Sequence, residues 1–190
     1  MHLSIARHQA GPADVVLSCP DQGLYGIFSS HGPTGTRSAE EVAEVVRYAC
    51  QDDTPAGWHR IQEHLRLELP RVVAAVAKLG PMREWFVPAY VVVTGGSRCY
   101  SRRLSGRMRR LPPTPPLHHR PRPDSRIHSL EFNLLADELL LLAGPPAGRG
   151  LDRRDFKQLI HGHRAAPAIL AAVLRHHTTT PPPSLIVLAG

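Results

Sequence analysis

The chain is expected to fold as one α+β domain, with mostly antiparallel sheets layered against helices. Three observations predict it. Short apolar, strand-like runs come in pairs joined by turn residues rather than in regular alternation with helices. Two longer stretches space their apolar residues as helices do. A chain of 190 residues, 42% of them apolar, is also long enough for a core without disulfide or metal staples.

Asp14–Cys19 and Gly23–Ser29 read as strands, and Pro20-Asp21-Gln22-Gly23 between them is turn chemistry, giving a hairpin. After a loop over 31–36 the period becomes helical. Ser38 with Glu41 three residues on forms a capping box, and Ala39, Val42, Ala43, Val46, Ala49 and Cys50 share a face. A second helical stretch is expected from about Gly57 to Leu79, kinked or divided at Pro70. Strands follow at Glu84–Val87 and Tyr90–Val93, joined through Pro88-Ala89, then at Arg98–Leu104 and, after a Ser105-Gly106 turn, Arg107–Arg109. Pro112 to Pro123 is a proline-rich loop that cannot keep a sheet ladder. Ile127–Phe132 and the apolar Glu138–Ala143 read as strands, Asp152–Ile160 as a short helix N-capped by Asp152, and Pro167 opens a further helix. Ser184–Leu188 closes the chain as a strand. There is no internal repeat, and 1–190 reads as a single domain.

Composition narrows the function classes. Cys19, Cys50 and Cys99 are scattered, which argues against a disulfide framework or a thiolate zinc site. No apolar run reaches membrane-spanning length and Met1-His2-Leu3 does not open a secretory signal, so a cytoplasmic protein with no membrane partner is expected. The formal charge is +7, but only Lys78 and Lys157 are lysines and Asn133 is the sole asparagine. Such a bias toward Arg, Ala, Pro and Gly is what GC-rich coding would produce, so the charge says less about partners than its size suggests.

Four segments, in order, resemble the metal-dependent protein phosphatases (PPM, the type 2C enzymes). Gly23-Leu-Tyr-Gly-Ile-Phe-Ser-Ser-His-Gly-Pro33 is similar to that family's strand ending in Phe-Asp-Gly-His-Gly. Val92-Val-Thr-Gly-Gly-Ser-Arg-Cys-Tyr100 resembles its Val-Gly-Asp-Ser-Arg-x-Tyr segment. Ala136-Asp-Glu-Leu-Leu-Leu-Leu-Ala-Gly-Pro-Pro146 resembles the approach to its Ser-Asp-Gly motif, and Thr180-Pro-Pro-Pro-Ser-Leu-Ile-Val-Leu188 its closing Asp-Asn-x-Ser/Thr strand. The resemblance runs from about Val15 to the C-terminus. It implies a sandwich of two antiparallel β-sheets flanked by helical pairs, trimmed before Tyr90 and around Pro112 to Arg126, with the active site at one end.

The family's chemistry implies two hard cations, manganese or magnesium, held by carboxylates and activating a water. In this chain the matching positions carry no acid. The bridging Asp of Asp-Gly-His is Ser29 and its Gly is Ser30; the Asp of Gly-Asp-Ser-Arg is Gly96. The Asp of Ser-Asp-Gly is Pro145, and that of Asp-Asn is Pro181. Hydroxyl, backbone and proline are poor substitutes for an anionic ligand. Asp14 aligns with the Asp of the family's Asn-Glu-Asp segment, with Ala13 in place of its Glu, while His31-Gly32 match the His-Gly of Asp-Gly-His and His8 falls near a phosphate-binding Arg. His31 without a metal-bound nucleophile reads as loop structure. The expectation is therefore a pseudophosphatase with no cofactor and no catalytic residues. It would bind a protein partner, such as a phosphoprotein, a kinase or an active phosphatase, in a phosphorylation-linked pathway. A divergent hydrolase using Asp14, His31 and Ser29 with one weakly held ion is the alternative.

A third reading rests on charge. Between Arg98 and Arg126 there are nine arginines and one acid, Asp124. Arg98, Arg102, Arg103, Arg107, Arg109 and Arg110 could form an anionic-partner patch on an expected hairpin, though a solvated strand edge also accounts for them. With Tyr100 the sole aromatic there, base stacking is unsupported and nucleic acid is not the expected partner. The His118-His119, His161-Gly-His163 and His176-His177 pairs lack a third ligand at metal spacing, and Ser29-Ser30-His31 lacks a nucleophile elbow.

Overall fold

The computed structural model describes residues 3–30, 35–51, 55–68, 71–103, 109–111, 127–145, 165–176 and 184–189. The expected 152–160 helix, the proline-rich loop and the His118 and His161 pairs lie outside them, as does His177.

Two five-stranded antiparallel sheets form the body. One runs β1 (Ser4–His8), β10 (Leu185–Ala189), β9 (Glu138–Ala143), β6 (Arg98–Arg103), β7 (Arg109–Leu111). The other runs β2 (Asp14–Cys19), β3 (Leu24–Ser30), β4 (Val72–Leu79), β5 (Phe86–Thr94), β8 (Ile127–Leu135). Helices α1 (Gly35–Ala49) and α2 (Pro55–Glu68) cover the outer face of the β2–β8 sheet, and α3 (Ala166–His176) covers the outer face of the other. This is the α+β sandwich that the resemblance implies, in a 190-residue form.

Because helices lie outside both sheets, the central strands are apolar on both faces. The run Leu139–Leu142 shows how the pleat divides it. Leu139 and Leu141 face α3 with Ile169, Val173 and Val187. Leu140 and Leu142 face the other sheet, clustering with its Ile27, Ala75 and Val91 and with Ile186 of the neighbouring β10. On α1, Ala39, Val42, Ala43 and Val46, with Cys50 just past its end, are buried against Phe28, Ala74 and Val76, as the helical spacing predicts.

Several expectations need correction. Val72–Leu79 is a strand, not the end of a helix: α2 stops at Glu68, before Pro70, and the run pairs with both β3 and β5. Its every residue is buried, which a half-exposed helix face would not allow. The strands at 84–87 and 90–93 are one, β5. Pro88 is tolerated because it sits where pairing with β4 ends; its carbonyl accepts from Gly80 N at 2.7 Å, so its missing N–H falls at the end of that ladder. Ser38 lies inside α1 rather than capping it, since Thr36 and Arg37 carry no helix breaker. β7 spans Arg109–Leu111, running past the expected end at Arg109, while Arg107 and Met108 lie outside the described residues; β1 has no counterpart in the sequence reading.

Candidate functional site

Residues far apart in sequence meet at one end of the sandwich. Asp14 opens β2 directly opposite Ser29 near the end of β3, so cross-strand pairing brings the two onto one face. Ser30 pairs with Val72 and its amide donates to Ala13 O at 3.2 Å. Both serines are buried, and Ser29 Oγ has no hydrogen-bond partner among the described residues.

The end of β9 approaches from the other sheet. A Cβ built on Gly144 would stand 3.3 Å from Ser29 Oγ, 3.1 Å from Ile27 Cγ2 and 3.7 Å from Ser184 Cβ, so only glycine lets these strand ends come together without displacement. Pro145 follows, its Cβ 3.5 Å from where a side chain at Gly96 would begin. Gly96 sits in the β5–β6 turn beside Gly95, whose φ of +55° is left-handed. Asp14, Ser29, Ser30, Gly96 and Pro145 therefore gather at one place. His31, Gly32 and Pro181 lie outside the described residues.

Three residues that the sequence reading did not single out, Ser184, Ala10 and Gln9, complete the arrangement. Ser184, fully buried just before β10, donates its hydroxyl to Asp14 Oδ2 at 2.6 Å and accepts from Ala10 N at 2.8 Å. Its carbonyl accepts from Gly144 N at 2.9 Å. Gln9 adds a bond to the Asp14 carbonyl at 2.7 Å. The signal for Ser184 was in the sequence, at the Ser/Thr place of the closing motif. Ala10 carries none, because it contributes only its amide. His8 ends β1 opposite Leu185, on the α3 side of its sheet with Ala6.

A pair of hard divalent cations needs several oxygen ligands, with carboxylates supplying the charge. The described donors are one carboxylate, already engaged through one oxygen, and neutral hydroxyls; Gly96 and Pro145 bring no side-chain oxygen. Among the described residues, no three of His, Cys, Asp or Glu gather as a metal site would require. These donors do not fit two such ions.

The arginines of the charged segment are divided by the pleat. Arg98, Tyr100 and Arg102 alternate with Cys99, Ser101 and Arg103 along β6. Tyr100 packs toward α3 and Cys99 between the sheets, which fixes the two faces. In the register with β7, Arg110 lies opposite Tyr100 and Arg109 opposite Ser101. Arg98, Arg102 and Arg110 thus share the α3-side face, whereas Arg103 and Arg109 belong to the opposite one. Arg102 is buried, and desolvation pushes its pKa below the usual guanidinium value. Arg98 folds back onto its own turn, donating to Ser97 O at 2.8 Å. Arg107 lies outside the described residues.

The strand order, the two sheets and the helical layers define the fold of the metal-dependent protein phosphatases. Solved structures with that fold match along nearly the whole chain. PppA, a key regulatory component of the T6SS in Pseudomonas aeruginosa, is 15% identical with a TM-score of 0.66, over 98% of this chain and 96% of that one. RsbX, in complex with magnesium, is 12% identical with a TM-score of 0.66, over 98% and 92%. The catalytic domain of the serine/threonine protein phosphatase PstP, in complex with two manganese ions, is 13% identical with a TM-score of 0.62, over 99% and 96%. No family model matches the sequence. No curated protein matches it either. The chain is a PPM-fold protein. Among its described residues no helix is long and apolar enough to cross a membrane.

Proposed function

We propose that this PPM-fold chain works by binding a protein partner in a phosphorylation-linked pathway, and that it does not hydrolyse phosphate esters. One observation supports the reading: Ser29, Gly96 and Pro145, which the resemblance matches to the family's acids, converge at one end of the sandwich and bring no carboxylate, and Asp14 is tied to Ser184. A phosphorus centre is attacked by water only when something generates the nucleophile and offsets developing charge. Neutral hydroxyls and one engaged carboxylate supply neither. The description of PppA, a chain of the same fold, as a key regulatory component supports a regulatory role; the proposed partner is a protein such as a phosphoprotein, a kinase or an active phosphatase.

The test is direct. Purified protein with millimolar manganese or magnesium should leave p-nitrophenyl phosphate and a phosphothreonine peptide unhydrolysed above background, and calorimetric titration with manganese should give no binding heat. Turnover at rates typical of metal-dependent phosphatases, abolished by a chelator, would sink the proposal and favour a divergent hydrolase using Asp14.

A further inference from the structure

Among the described residues the ladder hydrogen bonds run within each sheet. At the site end a short polar relay does cross. The Ala10 amide, in the segment leading from β1 to β2, donates to Ser184 Oγ at 2.8 Å. Ser184, at the head of β10 in one sheet, donates in turn to Asp14 Oδ2, at the head of β2 in the other. At 2.6 Å this second bond has the length of a charge-assisted O–H···O⁻ contact, the stronger class of hydrogen bond. Neighbouring bonds fix both ends: Gly144 N to Ser184 O at 2.9 Å, Gln9 Nε2 to Asp14 O at 2.7 Å, and Asp14 N to Gly11 O at 3.2 Å. Ser184 is fully buried, so water cannot replace what its hydroxyl provides.

We propose that the Ala10–Ser184–Asp14 relay is an inter-sheet clasp that makes the site end self-supporting without divalent ions. The inference rests on the reading of an ion-free site, and it adds a specific device and a specific residue, Ser184, to it. The clasp occupies an Asp14 oxygen that an incoming cation would have to recapture, and it holds two sheets by chemistry that no chelator removes.

The experiment reads the clasp separately from catalysis. Ser184→Ala strands the Ala10 N–H and an Asp14 oxygen. It is expected to lower Tm by about 3–8 °C and to speed hydrogen exchange of the Ala10 amide at least tenfold, while amides in β4 and β5 keep their protection. Ser184→Thr, which keeps the hydroxyl, should restore most of both effects. Asp14→Asn should weaken the clasp, and the Ser184→Ala/Asp14→Asn double variant should fall well short of the sum of the singles. The Tm of the unaltered protein should move by less than a degree or so between millimolar manganese and a chelator. Additive single effects, an Ala10 amide indifferent to Ser184→Ala, or a large manganese-induced rise in Tm would each overturn the proposal. If Ser184→Ala does not fold, the Asp14→Asn variant and its Ala10 exchange decide. Phosphate-ester turnover by an otherwise intact clasp would count against the proposed function alone.

Discussion

At single residues, the constraint that decides most is closeness of approach. Gly95 is the sharpest case. Its φ of +55° is disfavoured for a residue with a side chain, and a Cβ there would lie 2.4 Å from Val73 Cγ1. Gly95→Ala is expected to destabilise the fold by about 2–4 kcal/mol, from left-handed strain plus overpacking against β4, seen as a lower urea midpoint at unchanged m. The candidate site obeys the same logic through Gly144. Most of its positions were legible in the sequence, because Ser29, Gly96 and Pro145 stand in segments with recognisable order. The clasp was not, since one partner is a backbone amide and the others, Asp14 and Ser184, are 170 residues apart. Pairing across that separation is a property of the fold, and no local pattern encodes it.

At the scale of elements, face assignment separates what a sequence can say from what it cannot. The α1 stripe and the hairpin of β2 and β3 follow from period and turn chemistry alone. Val72–Leu79 does not, since a short run of small and β-branched residues buried on all sides has no period to distinguish strand from helix. Tertiary pairing with β3 and β5 settles it. β1 escaped for the opposite reason: Ser4, Arg7 and His8 dilute a strand whose Ile5 and Ala6 face different cores. The helix faces can be tested by a contrast. Ile61→Ala, on the buried face of α2, should cost about 2–4 kcal/mol, whereas Tyr48→Ala on the outer face of α1, 76% exposed, should stay within about 0.5 kcal/mol. Equal effects would mean that the helices sit differently on the sheet.

Over the whole molecule, burial of ionisable groups is expected to weaken the fold at alkaline pH. The Cys99 thiol lies between the sheets, and burial pushes its pKa well above the ordinary thiol range. Above about pH 8.5 an unfolded thiol loses its proton while the folded one keeps it, so the native state binds more protons and stability falls as pH rises. The contribution is complete below that pH and lost progressively toward the folded pKa. Tyr25 and Tyr90, also raised mainly by burial, extend the decline above about pH 10. Cys99→Ala should lower stability at pH 7 yet flatten the decline between about pH 8.5 and 10, measured by urea unfolding at each pH. An unchanged slope would mean that the thiol is reached by water in the native state.

The four consecutive leucines of β9 carry one further implication. Sliding that strand by a single position would exchange its two sides, yet every side would still receive leucine, so greasiness alone cannot tell right alignment from wrong. The information must come from the margins. At one margin the Glu138 carboxylate accepts from Leu135 N at 3.4 Å; at the other stands Gly144, where a slipped chain would drive Ala143 or Pro145 into Ile27 and Ser29. Deleting one leucine would therefore leave an oily strand with one anchor out of step, and lengthening the run would do the same.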